Sequence, residues 1–211
     1  MPATYGTAQL AQARQLGTST LFEASGLATS AADLAIRPVW PGASVAGPAY
    51  PLECSPGDNL AIHIALERAP RGSILVVSAS GFVAGYWGEV LTVAAEAAGI
   101  AGLVIDGGVR DIAALTRRRF AVFSRGVSMR GTIKASAPSV GQAISFTGTP
   151  VAAGDLVVAD DDGVLVIPEA HVGHTLARGQ ARADKEAGMM EALAQGRSTL
   201  ELMHLTGWRQ P

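Results

Sequence analysis

The chain has 211 residues, of which 48% are hydrophobic and 16% charged, and its formal net charge is −2. This balance is typical of a folded domain with a sizeable core and argues against disorder. It also excludes a basic surface for nucleic acid, and an aromatic content of 5% leaves little for base stacking. No apolar stretch is long enough to span a membrane and the first residues lack a signal-peptide pattern, so we expect a cytoplasmic protein.

The first part of the chain predicts alternating helices and strands. Residues 7–16 have helical spacing up to Gly17, and residues 18–20 offer caps for a second helix. A strand is predicted over residues 43–50 and a helix from residue 60 to Pro70. Residues 73–78 are apolar enough to form a central strand of a sheet.

Residues 85–111 contain the pattern on which the functional interpretation depends. Residues 85–88 predict a turn, an apolar stripe predicts a helix from Glu89 to Gly99, and residues 103–105 predict a short strand closed by residues 106–108. Arg110 and Asp111 follow directly, where ligands usually bind in α/β folds. The helix start offers free N–H groups to an anion. This unit therefore combines an anion cradle, a guanidinium and two carboxylates.

The second part of the chain predicts short strands followed by a long helix. A short helix over residues 112–115 precedes strands at residues 120–123, 144–146, 151–152, 156–159 and 164–167, the last two joined by a hairpin turn. Residues 170–195 predict a polar helix, interrupted near Gly179 and Gly188. The pattern predicts one mixed α/β domain over residues 1–211, without a repeat or linker.

Several other residues are of types that can act in catalysis or metal binding, and for most of them a structural role is preferred. Cys54 is expected to be a small structural or surface residue and His63 a packed or partly exposed one. His171 and His174 could bind a metal, but a solvated helix face is preferred, and a Schiff-base role for Lys134 stays open. Because no HExxH or CxxC pattern is present, the expected metal site consists of carboxylates, which suit Mg²⁺ or Mn²⁺.

Three blocks of the sequence are similar to the RraA-like family: GEVLTVAAEAAGIAGLVIDGGVRD, FSRGVSMRGTIK and PVAAGDLVVADDDGVLVIP. This family includes the 4-hydroxy-4-methyl-2-oxoglutarate/4-carboxy-4-hydroxy-2-oxoadipate aldolases and the regulator of ribonuclease E activity. The resemblance spans roughly residues 18–195. It implies an α/β fold of the compact β/β/α swivelling type with N-terminal and C-terminal helices. It also implies assembly as a homotrimer or as a hexamer, a dimer of trimers.

The resemblance further implies a metal-dependent aldolase that releases pyruvate, uses Mg²⁺ or Mn²⁺, and decarboxylates oxaloacetate as a side activity. The family's acid, twenty intervening residues and Arg-Asp pair match Glu89, Arg110 and Asp111. Asp111 would hold the metal, while Glu89 and a neighbouring subunit's Glu186 would act through waters. Arg110 would bind the 2-keto acid and stabilise its enolate. The substrate carboxylate would bind the backbone of Gly85, Tyr86, Trp87, Gly88, Glu89, Val90 and Leu91.

Two positions depart from the family's pattern. Glu89 stands where aspartate is usual, and Ala114 stands where many members carry an acid. The first departure adds one methylene and could move a water on the metal. These departures leave open a lyase or hydrolase for a different oxo acid. Because the regulator shares the fold, a non-enzymatic protein that binds a protein partner stays open as well.

Overall fold

The structure is a computed structural model that describes residues 5–27 and 31–209. Within these residues, no helix is both long and apolar enough to cross a bilayer. In chain order the elements are α1 (Thr7–Ser25), β1 (Arg37–Pro38), β2 (Val45–Glu53), α2 (Leu60–Arg68), β3 (Ile74–Ser78), β4 (Gly85–Trp87), α3 (Glu89–Ala98), β5 (Gly102–Val109), α4 (Ile112–Arg118), β6 (Ala121–Val127), β7 (Ser139–Val140), β8 (Ile144–Phe146), β9 (Thr149–Val151), β10 (Leu156–Asp160), β11 (Gly163–Ile167), α5 (Val172–Ala194) and α6 (Thr199–Leu202), with 3₁₀ turns at Glu169–His171 and Thr206–Arg209.

A mixed sheet with the strand order β1-β6-β5-β3-β2-β10-β11 organises the chain. Strands β2, β3, β5 and β6 are parallel to one another, whereas β1, β10 and β11 pair in antiparallel fashion. The outer strands β1 and β11 approach each other. Arg37 of β1 donates from Nη1 to the Asp162 carbonyl next to β11 at 3.1 Å, and Ala32 N–H, before β1, donates to the Val164 carbonyl of β11 at 2.9 Å. The sheet is therefore nearly closed, which leaves little unpaired strand edge.

The central strands are apolar on both faces because each face meets a different part of the core. In β3, Ile74 and Val76 join the inner cluster that contains Phe123, while Leu75 and Val77 join the outer cluster beneath α2 and α3. A third cluster lies where α1 and α5 cover β10 and β11. This arrangement leaves the carboxyl end of β5 at the start of α4.

Helix α1 bends at Gly17, which has a left-handed φ of 76° and a ψ of 166°. The sequence predicts a helix end and a second helix start at this point, and the bend confirms that prediction. The capping acceptor comes from a distant strand: Thr18 donates its N–H at 2.8 Å and its hydroxyl at 2.6 Å to the Asp160 carboxylate. The sequence predicts a cap from the side chains of residues 18–20, but the Asp160 carboxylate of β10 accepts these hydrogen bonds instead.

The predicted interruption of the C-terminal helix near Gly179 and Gly188 is wrong, since α5 is continuous over Val172–Ala194. Gly179 is buried, and a Cβ there would lie 3.0 Å from Leu21 Cδ2 and 3.1 Å from Leu16 Cδ1. The missing side chain lets α1 pack closely against α5. Tertiary packing therefore outweighs the low helix propensity of glycine.

Two predictions around residues 85–109 also need correction. Residues 85–87 form strand β4 rather than a turn, and β5 continues through Gly107 and Gly108 to Val109. Both corrections have one cause: β4 pairs in parallel with the end of β5, which extends the ladder. A Cβ on Gly108 would lie only 2.6 Å from the Ala84 carbonyl oxygen, so glycine permits this close approach.

Cys54 is a free and buried thiol, in agreement with its structural interpretation. Burial raises the pKa of the Cys54 thiol to about 12, which leaves it protonated at neutral pH. We expect the folded protein to react with Ellman's reagent at pH 8 at least about a hundredfold more slowly than the urea-unfolded chain. Equal rates in the two states would contradict this burial.

Candidate active site

A cavity of about 260 Å³ lies where the ends of β4 and β5 meet the start of α3. This volume has room for a small organic acid and several waters. The residues that line it are Asn59, His63, Gly85, Tyr86, Trp87, Gly88, Val90, Leu91, Arg110, Asp111, Gly131, Thr132 and Lys134. The structure therefore brings together the predicted substrate-binding residues and the Arg110-Asp111 pair, with Glu89 as the exception.

The side chains of Tyr86 and Trp87 belong to the core rather than to a ligand site. Both residues are fully buried. The Tyr86 hydroxyl accepts the Gly57 N–H at 2.6 Å, and Trp87 Nε1 donates to Thr92 Oγ1 at 2.8 Å. Their polar side-chain atoms are thus already engaged, and they fix the wall from which α3 begins.

The first turn of α3 offers backbone donors to the cavity. Glu89 N–H donates to Asp111 Oδ2 at 2.9 Å. The N–H groups of Val90 and Leu91 belong to the same first turn, where a helix supplies no internal acceptor. Both residues line the cavity, and free first-turn amides of this kind are suited to bind an anion.

Arg110 and Asp111 are fixed through their backbone, which leaves their side chains half-exposed. Arg110 N–H donates to the Trp87 carbonyl at 2.8 Å, and the Asp111 carbonyl accepts the Ala114 N–H at 2.9 Å at the start of α4. Asp111 has a left-handed φ of 60°, which aspartate tolerates better than most residues. Arg110 Nε lies 3.9 Å from Asp111 Oδ2, so the guanidinium is adjacent to the carboxylate without a close bond to it.

Gly88 makes this close arrangement possible. A Cβ at Gly88 would overlap Asp111 Oδ2 and would lie 3.1 Å from Arg110 Cγ. The backbone of Gly88 is extended, with φ of −163°, so the requirement for glycine here is steric and not conformational. The Asp111 carboxylate thus occupies the space that a side chain on residue 88 would take.

The Glu89 side chain is directed to α4 and does not line the cavity, so its action through a water stays a prediction. The Glu89 carboxylate pairs with Arg118 Nε at 3.2 Å, and Arg118 Nη1 also pairs with Glu96 at 2.9 Å. Glu89 and Glu96 lie two turns apart on α3, so one arginine of α4 reaches both. Only the backbone of Glu89 contacts Asp111, and its side chain ties α3 to α4.

Glu186 lies on α5, which contributes no residue to the cavity lining. Its carboxylate pairs with Arg182 Nε at 2.8 Å, and Arg182 also pairs with Glu23 of α1. Its role in a neighbouring subunit's site stays a prediction.

The opposite wall of the cavity was missed by the sequence interpretation. It consists of Asn59 and His63 at the start of α2, together with Thr132 and Lys134. These residues are distant in sequence from Arg110, so no local pattern connects them. The available signals were the one-turn spacing of Asn59 and His63 and the block FSRGVSMRGTIK that ends at Lys134.

Two buried polar atoms on this wall have no hydrogen-bond partner in the described part of the chain: Asn59 Oδ1 and His63 Nε2. Asn59 Nδ2 donates to the Tyr86 carbonyl at 3.0 Å, which fixes the orientation of the amide. Burial, and then the charge of Lys134, lower the pKa of His63, so this histidine is neutral at pH 7. Unpaired buried polar atoms beside a cavity are typical of a site that receives a polar ligand.

The donor set of the cavity fits a weakly held divalent cation. Among residues 5–27 and 31–209, no group of three His, Cys, Asp or Glu side chains is placed to hold a metal. Of the described residues that line the cavity, Asp111 alone carries a carboxylate. A single carboxylate is compatible with Mg²⁺ or Mn²⁺, which keep several waters, and not with a structural zinc site.

The family model described as "RraA-like: Aldolase/RraA" matches residues 7–166. The chain belongs to the RraA-like family. A protein of Halalkalibacterium halodurans with the provisional name 4-hydroxy-4-methyl-2-oxoglutarate aldolase is 36% identical over 154 residues, which cover 72% of this chain and 73% of that protein. The expected family membership is thereby confirmed.

Solved structures confirm the RraA-like fold. A crystal structure of an uncharacterized protein from Pseudomonas syringae pv. tomato has a TM-score of 0.86 at 30% identity, and the match covers 98% of this chain and 97% of the other. Streptomyces coelicolor RraAS2, described as an unusual member of the RNase ES inhibitor RraA protein family, has a TM-score of 0.76 at 24% identity, with 92% and 100% covered. The second likeness concerns the fold alone.

Proposed function

We propose that this RraA-like protein is a divalent-metal-dependent aldolase that cleaves 4-hydroxy-2-oxo acids and releases pyruvate. One observation carries the proposal: Arg110, Asp111 and the first-turn residues Val90 and Leu91 of α3 line the same cavity. The substrates that we favour are 4-hydroxy-4-methyl-2-oxoglutarate and 4-carboxy-4-hydroxy-2-oxoadipate. The name of the Halalkalibacterium halodurans relative supports the first of these.

The reaction breaks the C3–C4 bond of the substrate. The 4-hydroxyl would give its proton to a water in the cavity, C4 becomes a carbonyl carbon, and the bonding electron pair passes to C3 to give the pyruvate enolate, which then takes a proton from water at C3. Arg110 would bind the 2-oxo oxygen, where negative charge develops. The amides of Val90 and Leu91 would bind the carboxylate next to it, which orients the keto acid.

Asp111 is the residue that would hold Mg²⁺ or Mn²⁺, and the bound cation would supply positive charge to the enolate oxygen. Participation of Glu89 through a water would first require its carboxylate to leave Arg118. Loss of CO₂ from oxaloacetate gives the same pyruvate enolate, so we expect decarboxylation as a side activity.

The opposite wall suits the distal part of such a substrate. Both favoured substrates carry a second carboxylate beyond C3, and Lys134 brings a second positive charge to the cavity. The ammonium of Lys134 would bind that carboxylate, while Asn59 and His63 offer polar atoms to the substituents at C4. This division of the cavity favours oxo acids with two or more carboxylates over those with one.

The deciding experiment measures pyruvate release from 4-hydroxy-4-methyl-2-oxoglutarate and from oxaloacetate, coupled to lactate dehydrogenase. We expect turnover of both substrates with Mg²⁺, loss of turnover after EDTA treatment, and recovery when Mg²⁺ is restored. Borohydride treatment with pyruvate should leave the mass of the protein unchanged, because no lysine adduct forms in this mechanism. Absence of turnover with saturating Mg²⁺ would contradict the proposal and leave the two alternatives, which a panel of other 2-oxo acids would then separate.

We also propose that the protein is a homotrimer or a hexamer built from two trimers. The family membership supports this assembly. Analytical ultracentrifugation would test it, and a monomer at micromolar concentration would contradict it.

A further inference from the structure

We propose that Asp58 is a positioning residue that holds residues 131–136, here called the strap, across the cavity and thereby sets the position of Lys134. The inference rests on the proposed function, since Lys134 matters there as the partner of the distal carboxylate. It concerns a residue that does not line the cavity and that no local pattern connects with Lys134.

The strap is an irregular segment between β6 and β7, and Lys134 within it is exposed. Its backbone is attached to the turn that precedes α2. Asn59 N–H donates to the Ile133 carbonyl at 3.0 Å, and Ile133 N–H donates to the Gly57 carbonyl at 2.9 Å. These two bonds hold the residue immediately before Lys134.

The Asp58 carboxylate holds the residues immediately after Lys134. Asp58 is buried, with 2% of its surface exposed. Its Oδ2 accepts the N–H groups of Ala135 and Ser136 at 2.8 and 2.7 Å and the Ser136 hydroxyl at 3.0 Å. Its Oδ1 accepts the Leu60 N–H at 3.0 Å, at the first residue of α2. One carboxylate thus joins the strap to the helix that carries His63.

Burial by itself would raise the pKa of Asp58, but the hydrogen bonds from Leu60, Ala135 and Ser136 outweigh it, so the pKa is below its usual range. The group is therefore ionised at neutral pH and acts only as an acceptor. Lys134 is fixed on both sides by bonds to residues 57–59, although its own side chain is exposed. Asp58 therefore acts on the cavity through the position of Lys134.

The test begins with Asp58→Asn, which places an NH₂ donor among N–H donors. We expect the KM for 4-hydroxy-4-methyl-2-oxoglutarate to rise about tenfold, because the loss of one charge-assisted hydrogen bond has an effect of this size. The kcat should stay within about threefold of the unmodified protein. Lys134→Ala should raise this KM by at least about tenfold. Because Asp58 acts through Lys134, the double variant should have the KM of Lys134→Ala alone.

Two further variants separate positioning from general stability. Asp155→Asn removes another buried carboxylate, which accepts the N–H groups of Ala152 at 2.8 Å and Glu169 at 3.1 Å outside the cavity. It should lower the melting temperature without a change in KM. Ser136→Ala removes the hydroxyl bond but keeps the backbone, and it should raise the KM by about threefold.

Hydrogen exchange measured by mass spectrometry supplies a readout that does not depend on turnover. Amides 133–136 should exchange faster in Asp58→Asn than in the unmodified protein and should not change in Asp155→Asn. The inference is overturned if these amides keep their protection, if the effects of Asp58→Asn and Lys134→Ala multiply, or if Asp155→Asn raises KM equally. An unmodified protein without turnover would overturn the proposed function instead, and strap exchange would still show whether Asp58 holds the segment.

Discussion

Arg110→Ala should lower kcat/KM for pyruvate release by about 10³-fold, because in the proposed mechanism the guanidinium is the protein's own donor to the developing enolate oxygen. Arg110→Lys should recover only a small part of this loss, since an ammonium lacks the planar fork that binds an oxo acid at two points. The measurement is steady-state turnover of 4-hydroxy-4-methyl-2-oxoglutarate and oxaloacetate. Both substrates should be affected, because both pass through the same enolate.

Arg130 provides the matched control for Arg110. Its guanidinium stacks over the Phe82 ring at 5.0 Å, and its side chain does not line the cavity. Its carbonyl, which accepts the Gly85 N–H at 2.7 Å, is kept in Arg130→Ala. This variant should retain turnover within about threefold. If Arg110→Ala kept a tenth or more of the activity, the assigned role of the guanidinium would be wrong.

Gly88→Ala should lower turnover by about 10²-fold, even though its extended backbone is open to any residue. The added methyl group would occupy the position of Asp111 Oδ2, so the carboxylate must rotate away from the α3 start and from Arg110. The affinity for Mn²⁺, followed by electron paramagnetic resonance, should fall at least about tenfold together with turnover.

Gly188→Ala is the matched control, because a Cβ at Gly188 would meet no atom within 4 Å. The substitution should raise the free energy of unfolding by up to about 1 kcal/mol, as expected for an exposed helix position, and should leave turnover unchanged. A Gly88→Ala protein with normal metal affinity and turnover would show that the placement of Asp111 is not critical.

The elements that the sequence predicts well are those whose signals are local. The helix from Glu89 to Gly99 carries both its apolar stripe and its terminal glycine, which adopts the left-handed conformation with φ of 75°. The extension of β5 to Val109 depends instead on pairing with β4, and the continuity of α5 depends on contact with α1. The ends of β5 and the continuity of α5 therefore depend on contacts with residues that are distant in the sequence.

The candidate site divides in the same way. Arg110 and Asp111 are adjacent in sequence and follow a strand, so one segment predicts half of the cavity. Lys134 is brought to the cavity beside His63 because the strap pairs with residues 57–59, which precede α2. A single sequence contains no periodic signal for such a pairing of irregular segments. The Glu89 side chain points to Arg118 rather than into the cavity, and the spacing of residues in the sequence does not predict which direction it takes.

Asp111 takes part in the beginning of two helices. Its carbonyl accepts the Ala114 N–H of α4, and its carboxylate accepts the Glu89 N–H of α3. A cation bound to this carboxylate would therefore stabilise the starts of both helices while it occupies the cavity. Ligand occupancy at a hundredfold excess over Kd adds about 2.7 kcal/mol to the free energy of unfolding, so a melting curve can report binding before any turnover assay is run.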